Sequence, residues 1–211
     1  NHLSFEGKNK IYKVKTEEEL NDIIKKIQDA GYQDRLILQE FIPGDDSYLY
    51  DSVVYVDRKG KVKVLSFAQI GIQERSKSMV GNAAALINGC NTHGGNIEDM
   101  KKNITEFMEK LGMNGFFEFD MKYDNRNNTF KVLEINARQG RCSYYITPLG
   151  ANLIQIMVDD LIEKKELPKK VLKEEQLLSF VPKNIIKKYV TNEEFKKKAL
   201  ALWKKRVSPM E

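Results

Sequence analysis

Apolar residues recur at two spacings along this chain of 211 residues, and the changes between them lay out its elements. In TEEELNDIIKKIQDAG, Leu20, Ile23, Ile24 and Ile27 fall on one stripe at helical spacing. Thr16 and Glu19 stand before it at capping-box distance, and Gly31 closes it. The pattern predicts an amphipathic helix. Ile97, Met100, Ile104, Met108 and Leu111, closed by Gly112, predict another. Further helices are expected near Ala151 to Ile162 and from Thr191, which has capping-box spacing to Glu194.

The intervening stretches read as strands. RLILQEFIPGDD predicts a buried strand over Leu36 to Leu38, stopped by Pro43 and Gly44. YLYDSVVYV and KVKVLSFAQI flank DRKG, a hairpin with a four-residue loop. GFFEFDMKYDNRNNTFKVLEIN is a second hairpin, its loop rich in Asp and Asn. Helices mixed with hairpins define an α+β class with largely antiparallel sheet and flanking helices.

The second hairpin carries the chemistry. A side-chain period of two puts Leu133, Ile135 and Ala137 on one face of the last strand, and Glu134, Asn136 and Arg138 on the other. Folding the hairpin symmetrically about Arg126 sets Phe117 against Ile135 and Phe119 against Leu133. The same register opposes Glu118 to Glu134, with Asp120 and Asn136 diagonal. Directly opposed like charges are destabilising. A divalent cation or a raised pKa would remove the repulsion. Oxygen donors of this kind suit Mg²⁺, and thiolate and imidazole, the zinc and iron ligands, are missing from the group. The alternative is a solvated face on which Glu118 and Glu134 pair with Lys122 and Arg138, and a register slip of two would separate the carboxylates.

Charge and composition narrow the classes. With 41% hydrophobic and 31% charged residues the chain supports one ordinary core, and 35 Lys and Arg against 30 Asp and Glu mildly favour an anionic partner such as a nucleotide. Cys90 and Cys142 are far apart with no CxxC spacing, which argues against a disulfide framework or zinc site and for a reducing cytoplasm. No apolar run approaches the ~20 residues that cross a bilayer, and the opening NHLSFEGKNK has no signal-peptide pattern. His93 and His2 are expected at the surface. A basic nucleic-acid-binding protein has support from charge and from aromatics such as Tyr144 and Tyr145 alone, without a basic helix or stacking platform, so no nucleic-acid partner is expected.

The order LQEFIPGDD, hairpin, helix, GFFEFDMKYD and KVLEINARQG resembles the ATP-grasp superfamily of carboxylate–amine ligases over roughly residues 4 to 160. That resemblance implies an ATP-grasp fold with two lobes around a nucleotide cleft. Residues 1–45 would form the small lobe with its hinge, 46–165 the metal- and substrate-binding lobe, and 166–211 a C-terminal helical extension. ATP and Mg²⁺ are the implied cofactors. Glu118, Glu134 and Asn136 are the implied metal ligands, and Arg138 and Arg141 the catalytic cations toward phosphoryl oxygens. Glu40, Phe41 and Ile42 would meet the adenine edge, Asp46 the ribose, and Lys8 or Lys10 the phosphates; Arg75 and Lys77 are further anion contacts. The implied partners are a small carboxylate and an amine acceptor, with no membrane insertion and with a homodimer left open. FIPGDDS, FDMKYD and EINARQGR look most like the D-aspartate ligase type, which joins an amino acid to the side-chain amine of a peptidoglycan precursor. The superfamily usually has a preceding α/β domain and a strand with a phosphate-binding Lys, and this chain is expected to begin after both. A non-catalytic nucleotide- or metal-binding module of the same fold is the alternative.

Overall fold

The computed structural model describes residues 12–76, 79 and 81–208. In chain order its elements are α1 (Glu17–Asp29), β1 (Leu49–Val56), β2 (Val62–Leu65), β3 (Ala68–Gln73), β4 (Ala83–Asn88) and α2 (Ile97–Leu111). There follow β5 (Gly115–Asp124), β6 (Thr129–Asn136), α3 (Leu153–Met157), β7 (Lys170–Val171), β8 (Gln176–Ser179), α4 (Lys183–Tyr189) and α5 (Glu193–Leu202). Among the described residues these strands make one eight-stranded sheet in the order β6-β5-β1-β3-β4-β8, with β2 on β1 and β7 on β2. The β2–β7 ladder is parallel and the others are antiparallel. The largely antiparallel α+β class is as expected.

β1 sits at the centre because both its faces are buried. Tyr50, Val54 and Val56 join Ile104 and Met108 of α2 and Phe117, Phe119 and Met121 of β5. Val53 and Tyr55 point the other way, into a cluster with Tyr145, Ile146 and Ile156. At the far end Ile186 of α4, Val190 just after it and Phe195 of α5 pack against Ile72, Ala84 and Ile87. Each such buried side chain contributes on the order of 1.5–3 kcal/mol. Gly71 makes room for this packing, since a Cβ there would fall 2.0 Å from the Phe195 ring.

Local signals set the helix ends. The Thr16 hydroxyl accepts from Glu19 N at 3.2 Å, Asn96 caps α2 by accepting from Asp99 N at 3.0 Å, and Gly112 ends α2 with φ 69°. The cap of α5 is Asn192 rather than Thr191: its side chain accepts from Phe195 N at 2.9 Å, and Thr191 donates instead to Asp45 Oδ2 at 2.7 Å.

Three strand expectations need correction. Residues 36–38 form no strand, and Ile37 is 92% exposed, because no neighbour among the described residues offers the segment a ladder. KVKVLSFAQI is two strands, β2 and β3, which share the edge of β1 between them. Residues 166–211 supply β7 and β8 to the sheet as well as two helices.

A buried ion pair joins the β1–β2 turn to the segment after α3. Asp160, fully buried, accepts from Arg58 Nη1 at 2.6 Å, Arg58 N at 2.9 Å and Tyr55 Oη at 2.8 Å. Burial alone would raise its pKa, but the bonds from Tyr55 and Arg58 outweigh burial and hold the carboxyl below its ordinary value. A carboxyl depressed on folding stabilises the fold above its unfolded-state value, roughly 3.9 for Asp, and loses that contribution as pH falls through the depressed value. Arg58→Met is therefore expected to cost about 3–5 kcal/mol near neutral pH, where it strands a buried charge. The loss should shrink as pH falls through ~4, where the unfolded chain takes up the proton that Asp160 in the folded variant already holds. Urea melts at the two pH values check this, and an equal loss at both would contradict it.

Candidate active site

The β5–β6 hairpin is built two residues out of the expected register. Its turn spans residues 125–128, with Asn128 at φ 57°, so the ladder starts at Asp124 opposite Thr129. A bulge at Leu133 then adds a further residue, because pairing steps from Met121–Val132 to Asp120–Glu134. Glu118 therefore faces Asn136, and Phe119 faces Ile135. Glu118 and Glu134 are diagonal, not opposed. The shift of two keeps Glu118, Asp120, Glu134 and Asn136 on one face, since side chains alternate with period two.

β1 completes the site. Asp51 pairs with Asp120, which pairs with Glu134, so three adjacent strands line up three carboxylates in one row. The row runs from buried Asp51 through half-buried Asp120 to exposed Glu134 on the sheet edge. In the next row Val53, Glu118 and Asn136 are opposed. Asn136 Nδ2 donates to Asp120 Oδ2 at 3.2 Å. A cleft of about 90 Å³ opens over the group, lined among others by Asp51, Glu118, Asp120, Asn136, Arg138 and Arg141. A larger hollow of about 150 Å³ lies by Lys63, Ile156 and Lys170, but it gathers no comparable row of carboxylates.

The carboxylates raise one another. Asp51 is pushed well above the usual carboxylate range, by burial first and then by the Glu118 charge. Glu118 is raised by burial and by Glu134, an effect opposed by its neighbours Asp51 and Arg138. Burial, then Glu118 and Glu134, lift Asp120 to about 6. Among the described residues, no three His, Cys, Asp or Glu converge tightly enough to cage a metal by themselves. Mg²⁺ does not need such a cage: it usually takes one or two carboxylates and completes its shell with waters and phosphates. The all-oxygen donor set fits that ion.

The remaining predicted residues scatter around this centre. Arg138 is exposed at the cleft, and Arg141 pairs with Glu74 at 2.8 Å while stacking on Phe180 at 4.1 Å. Glu40 binds Arg126 of the β5–β6 turn at 2.7 Å, the half-exposed Phe41 ring lies under Lys13 at 3.6 Å, and Ile42 is buried. Asp46 Oδ2 accepts from Gln73 N at 2.8 Å and from Arg75 at 2.7 Å. Lys122 serves the carbonyl of Gly44 at 2.9 Å. His93 is half-buried instead of superficial, stacked on Tyr48 at 3.8 Å with Nε2 2.8 Å from Ser47 Oγ. Tyr145 is fully buried, which removes it from any stacking platform, and both cysteines are buried and free. His2, Lys8, Lys10 and Lys77 lie outside the described residues.

Sequence reasoning missed Asp51. The available signal was an acid inside the otherwise uncharged strand LYDSVVYV, but nothing local says which strand lies beside it.

The carboxylates stand on one antiparallel hairpin of an α+β sheet, with Glu134 and Asn136 in an E-x-N pattern, the arrangement that the resemblance to ATP-grasp enzymes implies. By sequence the chain is a relative of D-aspartate ligase from Enterococcus faecium (strain Aus0004), with 34% identity over 202 residues. The match covers 93% of this chain and 47% of that protein, so the chain spans about half the length of its curated relative. No family model matches. Among solved structures, L-amino acid ligase from Bacillus licheniformis overlaps 69% of this chain and 34% of its own, with TM-score 0.46 and 20% identity. The biotin carboxylase subunit of pyruvate carboxylase overlaps 76% of this chain and 35% of its own, with TM-score 0.48 and 15% identity. Among the described residues no helix is long and apolar enough to cross a membrane.

Proposed function

We propose that the chain is the ATP-grasp part of an ATP-dependent carboxylate–amine ligase, cytoplasmic, joining an amino acid such as D-aspartate to the side-chain amine of a peptidoglycan precursor. The observation that carries this reading is the row Asp51, Asp120 and Glu134 beside Glu118 and Asn136, opening on a cleft with Arg138 at its side. In this reading residues up to 45 form the small lobe with the hinge, 46–165 the metal- and substrate-binding lobe, and 166–211 a C-terminal extension.

Glu118, Glu134 and Asn136 would hold Mg²⁺, which when bound neutralises and orients the ATP phosphates. The protein's own work is positioning. Glu40, Phe41 and Ile42 flank the adenine, Asp46 faces the ribose, and Lys10 and Arg138 steady phosphate oxygens. The substrate carboxylate oxygen attacks the γ-phosphorus as ADP leaves; the amine nitrogen then attacks the acyl carbon, releasing phosphate and forming the amide. Arg138 and Arg141 balance the negative charge that gathers on the phosphoryl group.

The test is Mg²⁺-dependent phosphate release by the intact gene product, screened across amino acids of both hands with amine acceptors. Release is expected only with a matched carboxylate and amine. Absence of release with every pair would reject the proposal.

A further inference from the structure

Arg138 and Arg141 both line the cleft, and the structure holds them differently. Arg138 is exposed, and its guanidinium donates to the carbonyl of its own neighbour Gln139 at 3.4 Å. Arg141 is restrained from two directions. Its Nη1 donates to Glu74 Oε1 at 2.8 Å, and its guanidinium carbon lies 4.1 Å from the centre of the Phe180 ring. The carboxylate meets the edge of the planar fork and the ring meets its face, so rotation and tilt are both limited.

Neither partner belongs to the segment that carries Arg141. Glu74 directly follows β3, and its backbone N–H donates to Asn82 O at 2.9 Å, which ties it to the residue before β4. Phe180 directly follows β8, and its N–H donates to Ala84 O at 2.9 Å. It is 9% exposed, within the cluster that holds Tyr55, Tyr145 and Ile146. Cys142, next in the chain after Arg141, is buried with Ala83 in that same cluster. Arg141 is thus fixed at its backbone by packing and at its head by two side chains from separate strand ends. Glu74 takes one N–H of the guanidinium, and among the described residues the others form no hydrogen bond. A cation held ready in this way meets gathering negative charge without having to reorient during the reaction.

We propose that Glu74 and Phe180 are positioning residues for Arg141: the carboxylate and the ring hold its guanidinium at the cleft, with the remaining N–H groups available to phosphoryl oxygens. This rests on the phosphoryl-binding role given to Arg141 above. Glutamine at position 74 keeps an acceptor for Arg141 Nη1, and alanine keeps none. Leucine at position 180 keeps an apolar group in the cluster and removes the aromatic face. Because both residues act through Arg141, removing the Phe180 ring has nothing further to disturb once Arg141 is gone.

The test is calorimetric binding of ADP and of AMP-PNP, an ATP analogue that resists hydrolysis, to the intact gene product in the presence of Mg²⁺. The ratio of the two affinities reads contacts to the third phosphate, whereas a general loosening of the fold weakens both nucleotides alike and leaves the ratio unchanged. Arg141→Ala is expected to lower the preference for AMP-PNP by about tenfold, the worth of a hydrogen bond to a charged group. Glu74→Ala and Phe180→Leu are each expected to lower it by about threefold, and Glu74→Gln to stay within about twofold of wild type. In the Arg141→Ala background, Phe180→Leu is expected to change the ratio no further. A wild-type ratio in both Glu74→Ala and Phe180→Leu overturns the proposal, as does a ratio in Glu74→Gln as low as in Glu74→Ala. A higher ratio in Glu74→Ala also overturns it, because Glu74 then competes for Arg141 instead of positioning it. An unchanged ratio in Arg141→Ala, or a wild type that binds neither nucleotide, overturns the phosphoryl role of Arg141 and this proposal with it. A lowered ratio in Arg141→Ala with indifferent Glu74→Ala and Phe180→Leu overturns this proposal alone.

Discussion

Glu134→Gln is expected to abolish ligation in the full-length protein while leaving the fold intact. Glu134 is exposed on the edge strand β6, so the change empties no core and strands no buried partner. Its loss is electrostatic. Glu134 lies directly opposite Asp120, and exchanging it for a neutral amide of the same shape relieves a repulsion in the unliganded protein, so the melting temperature should stay level or rise slightly. The same exchange removes a negative charge where a cation and a transferring phosphoryl group have to be balanced. Removal of one such contact commonly costs ~10²-fold or more in rate. Phosphate release together with a thermal melt separates the two effects. Normal turnover in the variant would remove Glu134 from the site.

Gly140→Ala should reach nearly the same loss without touching a charge. The new methyl carbon would sit 1.4 Å from Glu118 Oε2, 2.0 Å from its Cδ and 2.1 Å from Oε1, so the Glu118 carboxylate has to leave. The backbone at Gly140 is not in the left-handed region, so alanine adds no conformational strain of its own there. The expected outcome is a fall of about 10²-fold in turnover, comparable to losing one electrostatic contact. Stability should change less than activity, because the clash falls on the far end of one side chain and not on backbone. Turnover within a few-fold of wild type would mean that Glu118 reaches the cleft in more than one way.

Both predictions depend on distances that arise only when remote segments meet. What was legible beforehand was local. The capping of α1 by Thr16 and the stripe of α2 ending at Gly112 depend on neighbours within a turn or two of helix, and both stand where periodicity put them. The face shared by Glu118, Asp120, Glu134 and Asn136 was legible for the same reason, since alternation along a strand is a property of the backbone. Even a slip of two left it unchanged.

Register and neighbours were not encoded that way. The four-residue turn at 125–128 and the bulge at Leu133 each displaced the ladder by one, and neither has a signature that counting along the chain can weigh. Leu36 to Leu38 look like a core strand by composition, yet they stand exposed, because apolarity states a preference and the sheet decides whether a partner exists. Asp51 is the clearest case. Its sequence neighbours mark it as an acid misplaced in an apolar strand; the packing of β1 beside β5 makes it the inner end of a carboxylate row, with Tyr145 brought in from 94 residues away to hold it. The chain by itself determined which side chains share a face, because that follows from bond geometry. Which faces meet, and therefore which acids oppose one another, was settled only by the non-local contacts that order the sheet.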